Sequence, residues 1–162
     1  MKRGMNMVVN NGRFTARPEG DVTVFLIGAR INAWHRPDRW LPVFWAMVPM
    51  LTHLKKHPEA GLLDFHSWFG RTTVIVSYWK SPEHLQRFAS DPDAPHLEPW
   101  RKFVRRIGND GRVGVWHETY VSSPGKREVV YVNMPPFGLG RATAFEPVGR
   151  GMSTAKQRIA ST

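Results

Sequence analysis

Few folds can accommodate residues 21–32, DVTVFLIGARIN. The run is rich in β-branched and aromatic side chains, the composition that suits a pleated strand. It does not alternate, because Val24, Phe25, Leu26 and Ile27 are apolar whichever face they take. A strand of that kind is buried on both sides, so its sheet must be covered on both faces. Gly28 inside it marks a point where another group can come close to the backbone.

The segments around this strand extend the pattern. Residues 37–57 read as a helix, with Trp40, Leu41, Phe44, Trp45, Val48 and Leu51 at helical spacing. Asp38 is placed to cap its start, and Pro42 is tolerable if it falls in the first turn. Pro49 removes a hydrogen bond further in, so a kink or two helical pieces are expected. Residues 61–69 and 72–79 form two strands joined by a Gly70-Arg71 turn. Ser81-Pro82 opens a short helix with a serine cap and a proline at the first helical position. A second helix runs over about 95–107 and stops at Gly108, and strands follow at 112–121 and 127–134. The order is βαββαβ, a ferredoxin-like α+β arrangement with helices on one face of an antiparallel sheet. The other face then needs a partner, and sheet-to-sheet pairing of two copies supplies one. Residues 1–20 are expected to form an N-terminal arm, 21–134 the folded domain, and 135–162 an extended C-terminal tail.

With 162 residues the chain suits one domain with a real core. The absence of cysteine rules out disulfides, thiolate metal sites and thiol nucleophiles. A formal charge of +10 invites a nucleic-acid or anionic-membrane partner. The basic residues are scattered from Lys2 to Arg158, however, and the densest set, Arg101, Lys102, Arg105 and Arg106, fits one solvated helix face. The βαββαβ order is shared with RNA-binding domains, but TTVIVSYW lacks their alternating aromatic stacking pattern. No apolar leader is visible, and the longest charge-free run, residues 40–54, is too short to span a bilayer. A cytoplasmic protein with neither nucleic acid nor membrane as partner is therefore expected.

Groups able to do chemistry concentrate in residues 114–140, where His117, Glu118, Tyr120, Tyr131 and Asn133 fall. Strand alternation puts His117 on one face with Val115 and Thr119, and Glu118 on the other with Trp116 and Tyr120. Sequence alone leaves open which set lines a cavity. On the 95–107 helix, His96 and Trp100 share a face with Leu97 close by, so both can point inward. His117 and His96 are the candidate bases, each also readable as a structural histidine. Arg30, Asn133 and Tyr120 are candidates to hold a substrate anion. Trp34, Trp40, Phe44, Trp45 and Trp68 read as core or pocket wall. Metal signals are poor: His53 and His57 lack a third ligand at suitable spacing, and HExxH is absent. Gly138-Leu139-Gly140 lacks the third glycine of a dinucleotide loop, and no GxSxG occurs.

The blocks FLIGARIN (25–32), RWLPVFWAM (39–47), VSYWKSPEHLQRFASDPDAPHLEPW (76–100), VGVWHETY (113–120) and YVNMPPFGLG (131–140) resemble the fumagillin-pathway monooxygenase-like family. That family, formerly a domain of unknown function, is related to the antibiotic-biosynthesis monooxygenases of the dimeric α+β barrel superfamily. The resemblance spans roughly residues 10–145. It implies a homodimer and a small tailoring monooxygenase that uses O2 on an apolar polyketide-like or aromatic molecule. It further implies a cavity between sheet and helices, His117 or His96 as base, and Trp100, Tyr120, Asn133, Arg30, Trp45 and Phe44 as substrate-binding candidates. No cofactor is expected. A heme-binding, dehydratase-like enzyme and a non-catalytic ligand-binding module are the alternatives.

Overall fold

A computed structural model describes residues 8–92, 101–102, 105 and 110–161. The chain divides into two units, Thr23–Val121 and a second made of Met1–Val22 with Ser122–Thr162.

The first unit is the ferredoxin-like α+β body. Strand β2 (Val22–Ile31) is followed by helix α1 (Pro37–Lys56), strands β3 (Leu62–Trp68) and β4 (Val74–Trp79), helix α2 (Pro82–Ser90) and strand β5 (Val113–Ser122). The sheet order is β3-β4-β2-β5, which places the doubly apolar strand inside the sheet. β4 runs antiparallel to both of its neighbours, so β2 and β3 are parallel and α1 is the crossover between them. Leu54, Trp79, Leu85 and Phe88 pack as one buried cluster, and Ala29, Val43 and Val113 as another.

α1 is one continuous helix, not two pieces, although Pro42 and Pro49 both lie inside it. The carbonyl that Pro49 leaves without a helical donor belongs to Trp45, an exposed residue, where water can take the lost bond. Asp38 does not cap the helix; it sits in the first turn and its carboxylate accepts two hydrogen bonds from Arg36, at 2.8 and 2.7 Å. Ser81 does cap α2, accepting from the His84 backbone N–H at 3.4 Å, with Pro82 at the first helical position.

The connection between β3 and β4 is longer than the expected two-residue turn. Residues 71–73 pair with the end of β2 instead: the Ile31 N–H donates to the Arg71 carbonyl and the Thr73 N–H to the Ala29 carbonyl, each at 2.8 Å. That close approach explains Gly28, where a Cβ would stand 2.0 Å from the Thr73 carbonyl oxygen and 2.8 Å from the Trp116 indole nitrogen.

The second unit contains order where an arm and an extended tail were expected. Strand β1 (Asn10–Ala16) lies between β6 (Tyr131–Met134) and β7 (Phe145–Pro147), antiparallel to both. Two short helices, Gly138–Ala142 and Ala155–Ala160, complete it. β6 is shorter than expected, because residues 127–130 precede it outside any strand. Arg127, buried, donates to the carbonyls of Pro18, Gly20 and Ser122. Phe14 stacks on Phe145 with ring centroids 4.7 Å apart.

Of the helix expected over 95–107, only Arg101, Lys102 and Arg105 are among the described residues, and all three are helical.

Candidate functional site

The pairing register decides which face of each strand meets the helices. Phe25 stands opposite Ser77, and Ile27 opposite Ile75. These four, with Trp79, Leu62, His117 and Thr119, turn toward α1 and α2 and line a cavity of about 580 Å³. Val43, Met47, Met50, Leu51 and Leu54 of α1 close it from one side, and Leu85, Phe88 and Ala89 of α2 from another. The volume falls within the range of small-molecule sites, as does the mostly apolar lining. The face of β5 that sequence alone left open is thereby assigned: His117 and Thr119 face the cavity.

His117 is the one ionisable side chain in that lining among the described residues. It stands on the exposed part of β5, its ring centroid 5.9 Å from that of Phe25. The other polar groups divide into two kinds. The Ser77 hydroxyl donates to the Phe25 carbonyl and accepts from the Trp79 indole N–H, both at 3.0 Å, so neither side chain has its main donor to spare. His117, Thr119 and Gln86 line the space and make no side-chain hydrogen bond with another described residue.

A second, smaller cavity of about 230 Å³ adjoins the first and shares Ile27, Val43, Met47, Leu51 and Ile75 with it. Phe44 and Trp45 line this second space, together with Leu41, Val48, Trp68 and Phe69. Two of the candidate substrate-binding residues therefore sit next to the His117 cavity, not in it.

The remaining candidates lie elsewhere. Tyr120 is on the opposite face of β5, where its hydroxyl donates to Glu118 at 2.8 Å. That bond to a carboxylate, and the negative charge beside it, push the Tyr120 phenol above its ordinary value. Arg30 is exposed and donates to the Thr72 hydroxyl at 2.7 Å; it lines neither cavity. Asn133 belongs to the other unit, where it takes a left-handed conformation at φ 51° and its side-chain oxygen accepts from the Gly12 N–H at 2.9 Å. His96 and Trp100 lie outside the described residues. No group of three or more metal-ligating side chains occurs among the described residues. Gly138 and Gly140 stand in a short helix, where a Cβ on Gly140 would press into the Phe145 and Tyr131 rings.

Sequence reasoning did not single out Phe25, Ile27, Ser77, Gln86 or Thr119. The first two were legible only as a doubly apolar strand, and Thr119 only as a companion of His117 by alternation. Nothing in the sequence marks Ser77 or Gln86.

A family described as monooxygenase af470-like matches residues 22–139. The chain is 35% identical over 136 residues to monooxygenase af470 of Aspergillus fumigatus, a match covering 76% of this chain and 46% of that protein. The chain thus spans about half the length of that curated relative.

Proposed function

The chain belongs to the monooxygenase af470-like family, and we propose that it is a monooxygenase acting on an apolar, polyketide-like or aromatic small molecule, with His117 as the base. One observation carries the reading: among the described residues, a single imidazole stands in a mostly apolar cavity of about 580 Å³. An apolar cavity favours a substrate with little charge, and an imidazole can take a proton from an activated C–H near neutrality. The substrate carbanion would then give one electron to O2, and the radical pair would combine. Reprotonation of the peroxide and loss of water convert the CH2 to a carbonyl, so one oxygen atom enters the product and the other leaves as water. The substrate supplies both electrons. Thr119 and Gln86 are the neighbours best placed to hold the substrate oxygen.

Oxygen uptake with an anthrone, whose CH2 is acidic, tests this. His117→Ala should lower turnover at least ~100-fold, the usual scale of a general base, with the thermal midpoint retained. Undiminished uptake in that variant overturns the assignment. His96→Ala, measured beside it, tests the other candidate base.

Heme is the second reading. His117 could serve as an axial ligand, but no lysine or arginine among the described residues lines the cavity to receive the propionates. The residues fit heme poorly, and a heme titration that yields a Soret band lost in His117→Ala would reverse that judgement. We further propose that two copies pair through the sheet face opposite the helices, as the dimeric α+β barrel superfamily implies. Among the described residues no helix is long and apolar enough to cross a membrane.

A further inference from the structure

α1 carries two apolar faces where a surface helix ordinarily has one. Val43, Met47, Met50, Leu51 and Leu54 turn inward and line the main cavity. Leu41, Trp45 and Val48, spaced four and three residues apart, form a stripe on the opposite side and are exposed by 39, 69 and 55%. The stripe does not stand alone. Phe69, on the β3–β4 connection, is 78% exposed and lies 6.3 Å from the Phe44 ring; Phe44 contacts Trp40, and Trp40 contacts the exposed Trp34. Leu41, Trp45, Val48 and Phe69 all line the second cavity, so the patch surrounds its mouth.

The charge around this patch is one-sided. No carboxylate occurs between Asp38 and Glu59, nor between Asp64 and Glu83, and none in residues 22–37. Among the described residues, Asp38 and Asp110 lie at the Trp34–Trp40 end, and both are paired, Asp38 with Arg36 and Arg39, and Asp110 with Arg39 and Arg112. Arg71 is exposed two residues beyond Phe69, and Arg30 is held beside it through Thr72. Exposed aromatic residues beside Arg71 and Arg30, with the acids at their Trp34 end already paired, match the boundary of an anionic bilayer: indoles take the headgroup level and guanidinium groups meet the lipid phosphates and carboxylates.

We propose that the outer face of α1 and the β3–β4 connection form a docking surface for an anionic lipid membrane, setting the mouth of the second cavity at the bilayer. This departs from the expectation of no membrane partner, which considered only spanning segments and scattered charge. It holds whether or not His117 is the base, and its test does not involve turnover.

Cosedimentation with vesicles of phosphatidylcholine alone, and of phosphatidylcholine with phosphatidylserine, reads the partition directly. The full chain should bind the anionic vesicles more tightly and be released by salt. Trp45→Ser combined with Phe69→Ser should weaken binding by about tenfold or more, since both positions are solvent-exposed aromatics available for insertion. Arg71→Gln should weaken it roughly fivefold, from the loss of about one attractive charge. Brominated phosphatidylcholine in the anionic vesicles should quench tryptophan emission, and less so in Trp45→Phe. Failure to bind anionic vesicles overturns the proposal, as does equal binding by the double variant with its thermal midpoint retained. A dimer that becomes a monomer in the double variant would mean that a second copy covers the patch, which also overturns it.

Discussion

At the scale of single residues, the fold places chemistry by alternation. His117 and Tyr120 are three apart on one strand, so they occupy opposite faces, and only the first meets the cavity. Tyr120→Phe should therefore leave oxygen uptake within about twofold of the parent, while His117→Ala removes it. A comparable loss in both variants would mean that the two faces are not chemically separate. Gly28 makes a sharper claim about packing. The Cβ of Gly28→Ala would meet the Thr73 carbonyl oxygen at 2.0 Å, and backbone cannot swing away as a side-chain tip can. The expected cost is ~3 kcal/mol, the upper end for overpacking, read as a lowered urea midpoint. An unchanged midpoint would show that β2 and the β3–β4 connection part without strain.

Among the elements, those with a local signal were legible and those made by distant partners were not. β2, α1, β3, β4, α2 and β5 each carry their own periodicity or cap, and all six formed close to where the sequence placed them. β1 is NNGRFTA, with little apolar pattern; it becomes a strand because β6 and β7, more than a hundred residues on, flank it. β7 has three residues and the two terminal helices five and six, too short for any period to show. The β3–β4 turn was misread for a related reason, since Thr72 and Thr73 answer to β2 and not to β3. The cavity face of β5 likewise depended on register. What holds the second unit together is open to test at Arg158, which is buried and donates through Nε to Glu128 at 2.6 Å as well as to the carbonyls of Met152 and Ser153. Glu128→Gln leaves that guanidinium without its counter-charge and should cost about 1–3 kcal/mol, seen as earlier loss of amide protection in β1, β6 and β7. Equal protection in parent and variant would make the ion pair incidental. At the start of α1, Arg36 hydrogen-bonds Asp38 and holds its carboxyl below the ordinary value. A depressed carboxyl contributes stability above its unfolded value and loses it as pH falls through the lowered one. The urea midpoint of Asp38→Asn should thus approach that of the parent in acid and fall slightly below it at neutral pH.

For the whole molecule, the two proposed surfaces answer to salt with opposite signs, which lets one variable separate them. A chain of formal charge +10 repels its own copy, so a pairing made of apolar contacts strengthens as salt screens that repulsion. Membrane docking guided by Arg71 weakens under the same change, because salt screens an attraction. The proposed pairing would use the sheet face away from the helices, where Val24, Leu26, Val76 and Tyr78 are half-buried within a single chain. Light scattering across a salt series should find twice 18.6 kDa at moderate ionic strength, with dissociation toward 18.6 kDa as salt is removed. Leu26→Lys puts a charge in the middle of that face and should hold the protein at the monomer mass throughout, with its far-UV spectrum showing that the strand is still formed. Vesicle binding by Leu26→Lys should persist, since the stripe on α1 is untouched. A parent protein that stays at 18.6 kDa at every salt concentration rules out the pairing and leaves the membrane surface to be judged alone.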